Sequence, residues 1–248
     1  MTPNDTNIGW GVRVFGLGIV ASAAVGIVSR KFVPAGIPAH DLLATAAAAF
    51  VLAGGAAMLW RRTAAWGSVA VTTYFALVFV VLMDGRLFLA HYAQYGVYEN
   101  LAEHVAIVAA GLIVYATHAK LAAASAARLS RLGQILFGLC AVIFGGAHFV
   151  YMNLTAPLVP LWLPPDPLFW GYATGVAHIA GGVAILIGLR ARLAALLLTA
   201  MYASFIPLVW APVLLADPSN IGRWNECAVT LALAGCAWVV ADSLAHRS

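Results

Sequence analysis

Two histidines, His148 and His178, lie thirty positions apart, each inside a strongly apolar segment of the chain. A neutral imidazole carries one hydrogen-bond donor and one acceptor, and it takes up a proton between about pH 5 and 8. Such a ring in an apolar segment needs a partner, because an unsatisfied polar group is costly there. We therefore expect each histidine either to hydrogen-bond to a neighbouring helix or to bind a ligand or a proton.

Acidic and basic residues accompany the histidines near one end of these segments. Glu103 and Glu226 each fall two or three residues inside an apolar segment, at a depth close to that of His148. His178 lies about 7 Å deeper, from the helical rise of about 1.5 Å per residue. Two interpretations of Glu226 stand. It forms an ion pair with Arg223 that fixes a helix end, or it belongs to an outward-facing pocket for an anionic headgroup, a quinone or a metal.

Helical spacing places Thr174, Gly171 and Gly175 on the same face as His178. The two glycines form a small-xxx-small pattern, which lets two helix backbones approach closely. We expect one cavity, open towards the outer leaflet, with His148 and His178 inside it and charged groups at its mouth. The predicted ligand-binding residues are His148, His178, Glu226, Arg223, Glu103 and Thr174.

The sequence predicts no metal site and identifies no cofactor. Glu99, Glu103 and His104 have a spacing similar to that of metal ligands, but the His104 side chain points about 100° away from that of Glu103 on a helix. The three cysteines form no CxxC motif, and the chain contains no nucleotide-binding or HExxH motif. A quinone suits the two histidines better than a haem, because histidines at different depths are poorly placed to ligate one iron from both sides.

The elements that carry these residues are predicted to be membrane-spanning helices. The chain has 248 residues, of which 63% are hydrophobic and 9% charged, whereas soluble domains have about 25% charged residues. A helix needs about 20 apolar residues to cross a bilayer, and the runs are continuous rather than alternating, which favours helices over a β-barrel. The predicted spans are 10–28, 42–60, 66–83, 101–118, 133–152, 169–189, 193–212 and 224–242. Asp84-Gly85-Arg86 ends the third span, and we expect these residues in a solvated turn.

The basic residues predict the orientation of these spans. With the N-terminus in the cytoplasm, nine of the thirteen Lys and Arg residues lie on the inner side and four on the outer side, as the positive-inside rule requires. The inner set is Arg13, Arg61, Arg62, Lys120, Arg128, Arg131, Arg190, Arg192 and Arg247. We therefore expect both termini in the cytoplasm and the 153–168 loop outside. The net charge of +4 follows from this topology and does not indicate a nucleic-acid partner.

The chain also contains an internal repeat. Phe15-Gly16-Leu17 matches Phe137-Gly138-Leu139, Gly54-Gly55 matches Gly181-Gly182, and Glu103 matches Glu226, at offsets of 122, 127 and 123 positions. The nearly constant offset predicts an all-α membrane protein whose eight transmembrane helices form two parallel four-helix repeats, related by a twofold axis along the membrane normal. The predicted units are 1–120 and 134–248, joined by a cytoplasmic linker at 121–133.

The second unit carries a series of short motifs within residues 134–242. They are Gly146-Ala147-His148-Phe149, the Pro-Leu-Trp-Leu-Pro-Pro loop, Ala177-His178-Ile179-Ala180-Gly181-Gly182, Arg190-Ala191-Arg192-Leu193-Ala194 and Arg223-Trp224-Asn225-Glu226. In their order these motifs resemble the DoxX/DoxD-like family of integral membrane proteins. Gly26 and Val51 replace the two histidines in the first unit, which is a diverged copy. The resemblance implies a four-helix membrane unit associated with sulfur- or quinone-linked redox systems.

Together these observations predict a multi-pass protein of the bacterial inner membrane that binds a quinone or another small amphiphile from the outer leaflet. Its expected partners are membrane lipid, this small hydrophobic or amphiphilic ligand, and a redox partner protein. One alternative is a transporter or exporter of small molecules or ions, and another is a membrane anchor or assembly factor without catalysis. The sequence leaves open whether the protein is an enzyme.

Overall fold

The computed structural model describes residues 8–36 and 38–245, and these residues form helices joined by turns and loops. Eight of the helices are long and apolar enough to cross a membrane. This confirms the predicted all-α membrane fold. The helices are α1 (Trp10–Ser29), α2 (His40–Ala57), α3 (Ala64–His91), α4 (Tyr95–His118), α5 (Ala123–Val150), α6 (Pro167–Ile187), α7 (Ala191–Ala216) and α8 (Ile221–Leu244).

Two of these helices contain π-helical segments, and both are the third helix of their half of the chain. The segment Phe75–Asp84 lies within α3, and Ile206–Trp210 lies within α7. Pro207 falls in the second segment and has no backbone N–H to donate to a preceding carbonyl, which favours the wider turn. The sequence predicted that the third span ends at residue 83 with Asp84 in a solvated turn. That prediction is wrong, because α3 continues to His91.

The predicted linker at 121–133 is also mostly helical. α4 ends at His118 and α5 begins at Ala123, so the connection consists of only a few residues. Arg131, within this stretch, donates hydrogen bonds to the backbone oxygens of Ile185 and Leu186 at 3.3 and 2.7 Å. The polar residues that suggested a linker are therefore the first turns of α5, and one of them satisfies carbonyls at the end of α6.

The helices pack in the same order in both halves of the chain. α1 packs on α2, α2 on α3 and α3 on α4, and the corresponding contacts join α5 to α6, α6 to α7 and α7 to α8. The halves meet where α1 packs on α8 and α4 packs on α5, and α4 also contacts α8. α4 therefore borders helices of the second half as well as its own.

The glycines of the two matched motifs occupy corresponding contacts. A Cβ atom at Gly16 would lie 3.0 Å from the backbone oxygen of Gly55, and one at Gly138 would lie 3.1 Å from that of Gly182. In each half the first helix thus meets the second through a glycine pair that the sequence repeat contains. The predicted superposition of the halves by rotation about the membrane normal remains a prediction.

The outer faces of the bundle carry large apolar side chains, which suits contact with membrane lipid. Leu42, Trp66 and Leu89 are 71%, 76% and 80% exposed. In a membrane protein such side chains meet hydrocarbon instead of water. The side of the membrane on which each end lies remains a prediction, and Asp5 and Arg247, which belong to the predicted inner side, are outside the described residues.

Candidate ligand-binding cavity

A cavity of about 720 Å³ lies between α4, α5, α6, α7 and α8 beneath the loop that follows α5. Five of the six predicted ligand-binding residues line it: His148, His178, Glu103, Glu226 and Thr174. The sequence predicted the histidine cavity in the second unit and included Glu103 of the first unit among its residues. In the structure both Glu99 and Glu103 reach the cavity from α4 of the first half.

A close approach of α5 and α6 positions the two histidines. A Cβ atom at Gly145 would lie 2.6 Å from the backbone oxygen of Gly175, and one at Gly175 would lie 2.8 Å from Cβ of His148. Only glycine leaves room for this contact, as the small-xxx-small pattern indicated. As a result the rings of His148 and His178 lie 5.1 Å apart between centroids.

His148 is tied to the neighbouring helix. Its Nδ1 lies 3.0 Å from the backbone oxygen of Gly171, which can only accept, so Nδ1 carries the proton and donates. The same nitrogen lies 3.1 Å from Oγ1 of Thr174, whose own hydroxyl donates to the backbone oxygen of Trp170 at 2.7 Å. The His148 ring is thus held on α6 by one face of that helix.

His178 is buried, with 2% of its surface exposed. Its Nδ1 donates to the backbone oxygen of Thr174 at 2.8 Å, within α6 itself. The interhelical hydrogen bond considered for this residue is therefore replaced by one to the carbonyl four positions earlier. Rings from two other helices pack around the imidazole, since the centroids of Phe144 and Tyr202 lie 6.2 and 5.3 Å from its own.

These hydrogen bonds fix the same tautomer in both histidines. Because both Nδ1 atoms donate to carbonyl oxygens, each Nε2 carries a lone pair in the neutral ring. Among the residues that the structure describes, neither Nε2 has a hydrogen-bond partner. The pair therefore presents acceptors that a ligand donor can use.

Tyr202 adds a polar group that the sequence did not predict. It lines the cavity from α7 and is only 3% exposed, and its hydroxyl has no hydrogen-bond partner. A buried hydroxyl without a partner costs about 1–3 kcal/mol. Protein atoms enclose this oxygen, so a ligand that reaches it after a small shift of the neighbouring side chains would recover this energy. The signal in the sequence was its position in the middle of an apolar span, because membrane tyrosines prefer the ends.

Three carboxylates line the same cavity. Glu99 and Glu103 lie one helical turn apart on α4, and Glu226 comes from the second turn of α8. Glu103 is close enough to both others for their charges to interact. Within the described part of the chain none of the three forms an ion pair, and no lysine or arginine described by the structure lines the cavity.

The exposed fraction of the ionisable side chains decreases from one end of the cavity to the other. Glu226 is exposed, Glu99, Glu103 and His148 are partly buried, and His178 is buried. Glu226 therefore lies at the mouth and His178 at the inner end. The sequence predicted that Glu103, Glu226 and His148 lie at a similar depth and that only His178 lies deeper.

Arg223 is the predicted site residue that does not line the cavity. It lies in the first turn of α8, where its backbone N–H donates to Oδ1 of Asn220 at 3.3 Å. In the described residues it makes no ion pair with Glu226. Helical spacing placed Arg223 and Glu226 on one face, but the arginine belongs to the exposed surface and the glutamate faces the cavity.

A second polar cluster lies on a neighbouring face of α4. Asp84 is 2% exposed and accepts hydrogen bonds from Nδ2 of Asn100 at 2.6 Å and from Nδ1 of His104 at 2.8 Å. The His104 ring lies over Phe79, with 4.4 Å between centroids. His104 and Glu103 therefore point into different halves of the protein. No group of three His, Cys, Asp or Glu residues in the described ranges has a geometry that could hold a metal ion.

Residues 137–240 match a family model described as a domain of unknown function, DUF8561. The match covers the second half of α5, all of α6 and α7, and α8 as far as Val240, and so includes the histidines and Glu226 but not Glu103. No curated protein and no solved structure matches the chain. The resemblance to the DoxX/DoxD-like family remains a prediction.

Proposed function

We propose that this protein binds a small amphiphile in the cavity between α4 and the second half, with the polar end of the ligand at the histidines. The observation that carries the proposal is the convergence of three unsatisfied groups at the inner end. They are the two Nε2 acceptors and the hydroxyl of Tyr202. Polar groups inside a protein are normally hydrogen-bonded, so one buried hydroxyl and two ring nitrogens of cavity-lining histidines, all without protein partners, support a ligand there.

The size and walls of the cavity suit an amphiphile. A volume of about 720 Å³ falls in the range of about 300–1,000 Å³ that is typical of small-molecule sites. Apolar side chains such as Leu158, Phe205 and Leu208 line much of it and would contact the hydrocarbon part of the ligand. A quinone fits this description, since Tyr202 could donate to one of its carbonyl oxygens.

The cellular setting belongs to the same proposal. The excess of basic residues on one side supports an inner-membrane protein with both termini in the cytoplasm and the cavity mouth on the outer face. The DoxX/DoxD-like resemblance supports a role in a redox or sulfur-linked membrane system with a redox partner protein. Whether the protein catalyses a reaction depends on the ligand.

Mass spectrometry and absorption spectroscopy of gently purified protein test the proposal. We expect about one small amphiphile per chain in the organic extract, and a quinone would also show its redox-sensitive absorption. Protein that carries only bulk lipid, and binds no added amphiphile in a saturable way, would contradict it.

A transporter is the second candidate, favoured by the equivalent helix contacts in the two halves and by a cavity that narrows from an exposed to a buried end. Parallel repeats of this kind recur in transporters with a site between the repeats. Accumulation of a solute in proteoliposomes, lost when Glu103 is replaced by Gln, would favour transport over static binding.

A further inference from the structure

We propose that the ligand of this cavity carries a positive charge, as in an amphiphile with an ammonium group. The inference rests on the proposed function and specifies the chemical class of the ligand. By this inference a cationic amphiphile binds to the cavity more tightly than a neutral quinone or an anionic lipid.

The charges of the lining residues give the first argument. Glu99, Glu103 and Glu226 converge on one cavity, and no lysine or arginine described by the structure lines it. Lys31 is close enough to Glu226 for their charges to interact, but it is exposed and is not a lining residue. Neighbouring carboxylates repel each other when they are ionised, and a bound cation would relieve this repulsion and hold them in the ionised form.

The balance of hydrogen-bond donors and acceptors gives an independent argument. The hydroxyls of Thr174, Ser204 and Thr230 donate to backbone oxygens at 2.7 to 2.8 Å. The indole N–H groups of Trp170 and Trp210 are also used, on Pro164 and Thr230, at 2.9 and 2.8 Å. These lining groups therefore offer a ligand no donor.

The remaining polar groups are mostly acceptors. They comprise three carboxylates, the Nε2 atoms of His148 and His178, and the hydroxyl of Tyr151, which accepts from the backbone N–H of Gly96 at 2.8 Å and keeps its own proton for a ligand. The buried hydroxyl of Tyr202 has no partner and can act in either role. A protonated amine offers only donors, so it matches this set better than a quinone, whose two carbonyl oxygens only accept.

The aromatic residues of the wall support a cation as well. Tyr151, Trp170, Phe205 and Trp210 line the cavity, and the hydrogen bonds of the two indoles fix their rings. Aromatic faces attract ammonium groups, by about 0.5–1 kcal/mol where exposed and about 2 kcal/mol or more where desolvated. An ammonium group with an alkyl chain would therefore find carboxylates, ring faces and an apolar wall in one cavity.

Binding of three probes that share one alkyl chain tests the inference. Decyltrimethylammonium, decanol and decanoate are titrated separately onto the full-length protein in lipid nanodiscs, followed by native mass spectrometry. We expect the cation to bind about tenfold more tightly than the alcohol, and decanoate to bind least. In the Glu103→Gln/Glu226→Gln double variant, the cation should lose most of this advantage while the alcohol binds as before.

Asp217 provides a matched control. It lies in the turn before α8, and hydrogen bonds from the side chains of Ser219 and Asn220 lower its pKa, so it is ionised at neutral pH. The Asp217→Asn variant removes a negative charge outside the cavity, and the preference for the cation should persist.

The outcomes separate this inference from the proposed function. Equal binding of the cation and the alcohol in both the wild type and the double variant would overturn the inference and leave the amphiphile site standing. The inference is also overturned if Asp217→Asn abolishes the preference for the cation as fully as the double variant does, because the overall surface charge then explains that preference. Absence of saturable binding by all three probes would overturn both proposals.

Discussion

The rings of His148 and His178 lie 5.1 Å apart, on two helices whose backbones meet at Gly145 and Gly175. The sequence separates these histidines by thirty positions and a loop. The distance between them depends on the absence of two side chains, because any Cβ atom at either glycine would collide with the facing helix. The same two glycines therefore determine both the packing of α5 on α6 and the distance between the two histidines.

Replacement of Gly145 by Ala should weaken the packing of α5 on α6 and disturb the geometry of the histidine site. The added Cβ atom would lie 2.5 Å from Cγ1 of Ile179 and 2.6 Å from the backbone oxygen of Gly175, so the helices must separate. We expect a loss of about 1–3 kcal/mol in stability and weaker amphiphile binding, measured by thermal melting and native mass spectrometry. The matched control is Gly85→Ala, whose Cβ atom meets only an oxygen at 3.6 Å. Equal melting temperatures for the two variants would contradict the expectation.

The Tyr202→Phe variant should weaken ligand binding without reducing the stability of the protein. The hydroxyl has no partner in the protein, so its removal should leave the melting temperature unchanged or raise it, because a buried unsatisfied group is destabilising by about 1–3 kcal/mol. Retention of the bound amphiphile should fall, since the ligand loses a hydrogen bond. A lower melting temperature with unchanged ligand content would show that the hydroxyl has a structural role instead.

Asp84→Ala should destabilise the protein without disturbing the cavity. Asn100 and His104 would each lose a buried acceptor, and a buried donor left unsatisfied costs about 1–3 kcal/mol. Asp41, which pairs with Arg30 on the exposed surface, is the control, because exposed pairs contribute about 0–1 kcal/mol. Thermal melting of the two Ala variants measures the difference, and an equally small effect at both sites would refute the role of Asp84.

The orientation in the membrane can be tested by cysteine labelling. The sequence predicts that the 153–168 loop lies outside, and Leu161 in this loop is 90% exposed. In a background with Cys227 replaced by Ser, Leu161→Cys should react with an impermeant maleimide from the outer side. Ser125→Cys, near the start of α5, should react only after the membrane has been permeabilised. The reverse pattern would invert the topology.

The sequence predicted the helices and the histidine cavity because apolar runs and helical spacing depend on neighbouring residues. His178, Thr174 and Gly175 share a face in the sequence and in the structure. The contribution of α4 was harder to place, since the packing of α4 against helices of the second half is a long-range contact. Glu103 was nevertheless predicted from its depth.

Two polar residues were misjudged for physical reasons. Asp84 followed by a glycine is typical of a solvated turn, but a π-helical segment carries α3 past it and buries its carboxylate against His104. The only signal for Tyr202 was its position in the middle of an apolar span, where a tyrosine is ordinarily a packing residue. Only the structure shows that its hydroxyl is buried on a cavity with no partner.

Ligand recovery from a pair of blocked and unblocked variants tests the amphiphile site most directly. Ala177 lines the cavity, whereas its neighbour Val176 does not and is 56% exposed on the outside of α6. Both positions are changed to Phe, and the organic extracts of the purified variants are quantified against the wild type by mass spectrometry. We expect Val176→Phe to retain the bound amphiphile and Ala177→Phe to lose it, with similar melting temperatures in the absence of ligand. Equal amounts of the same amphiphile in both variants would contradict the site.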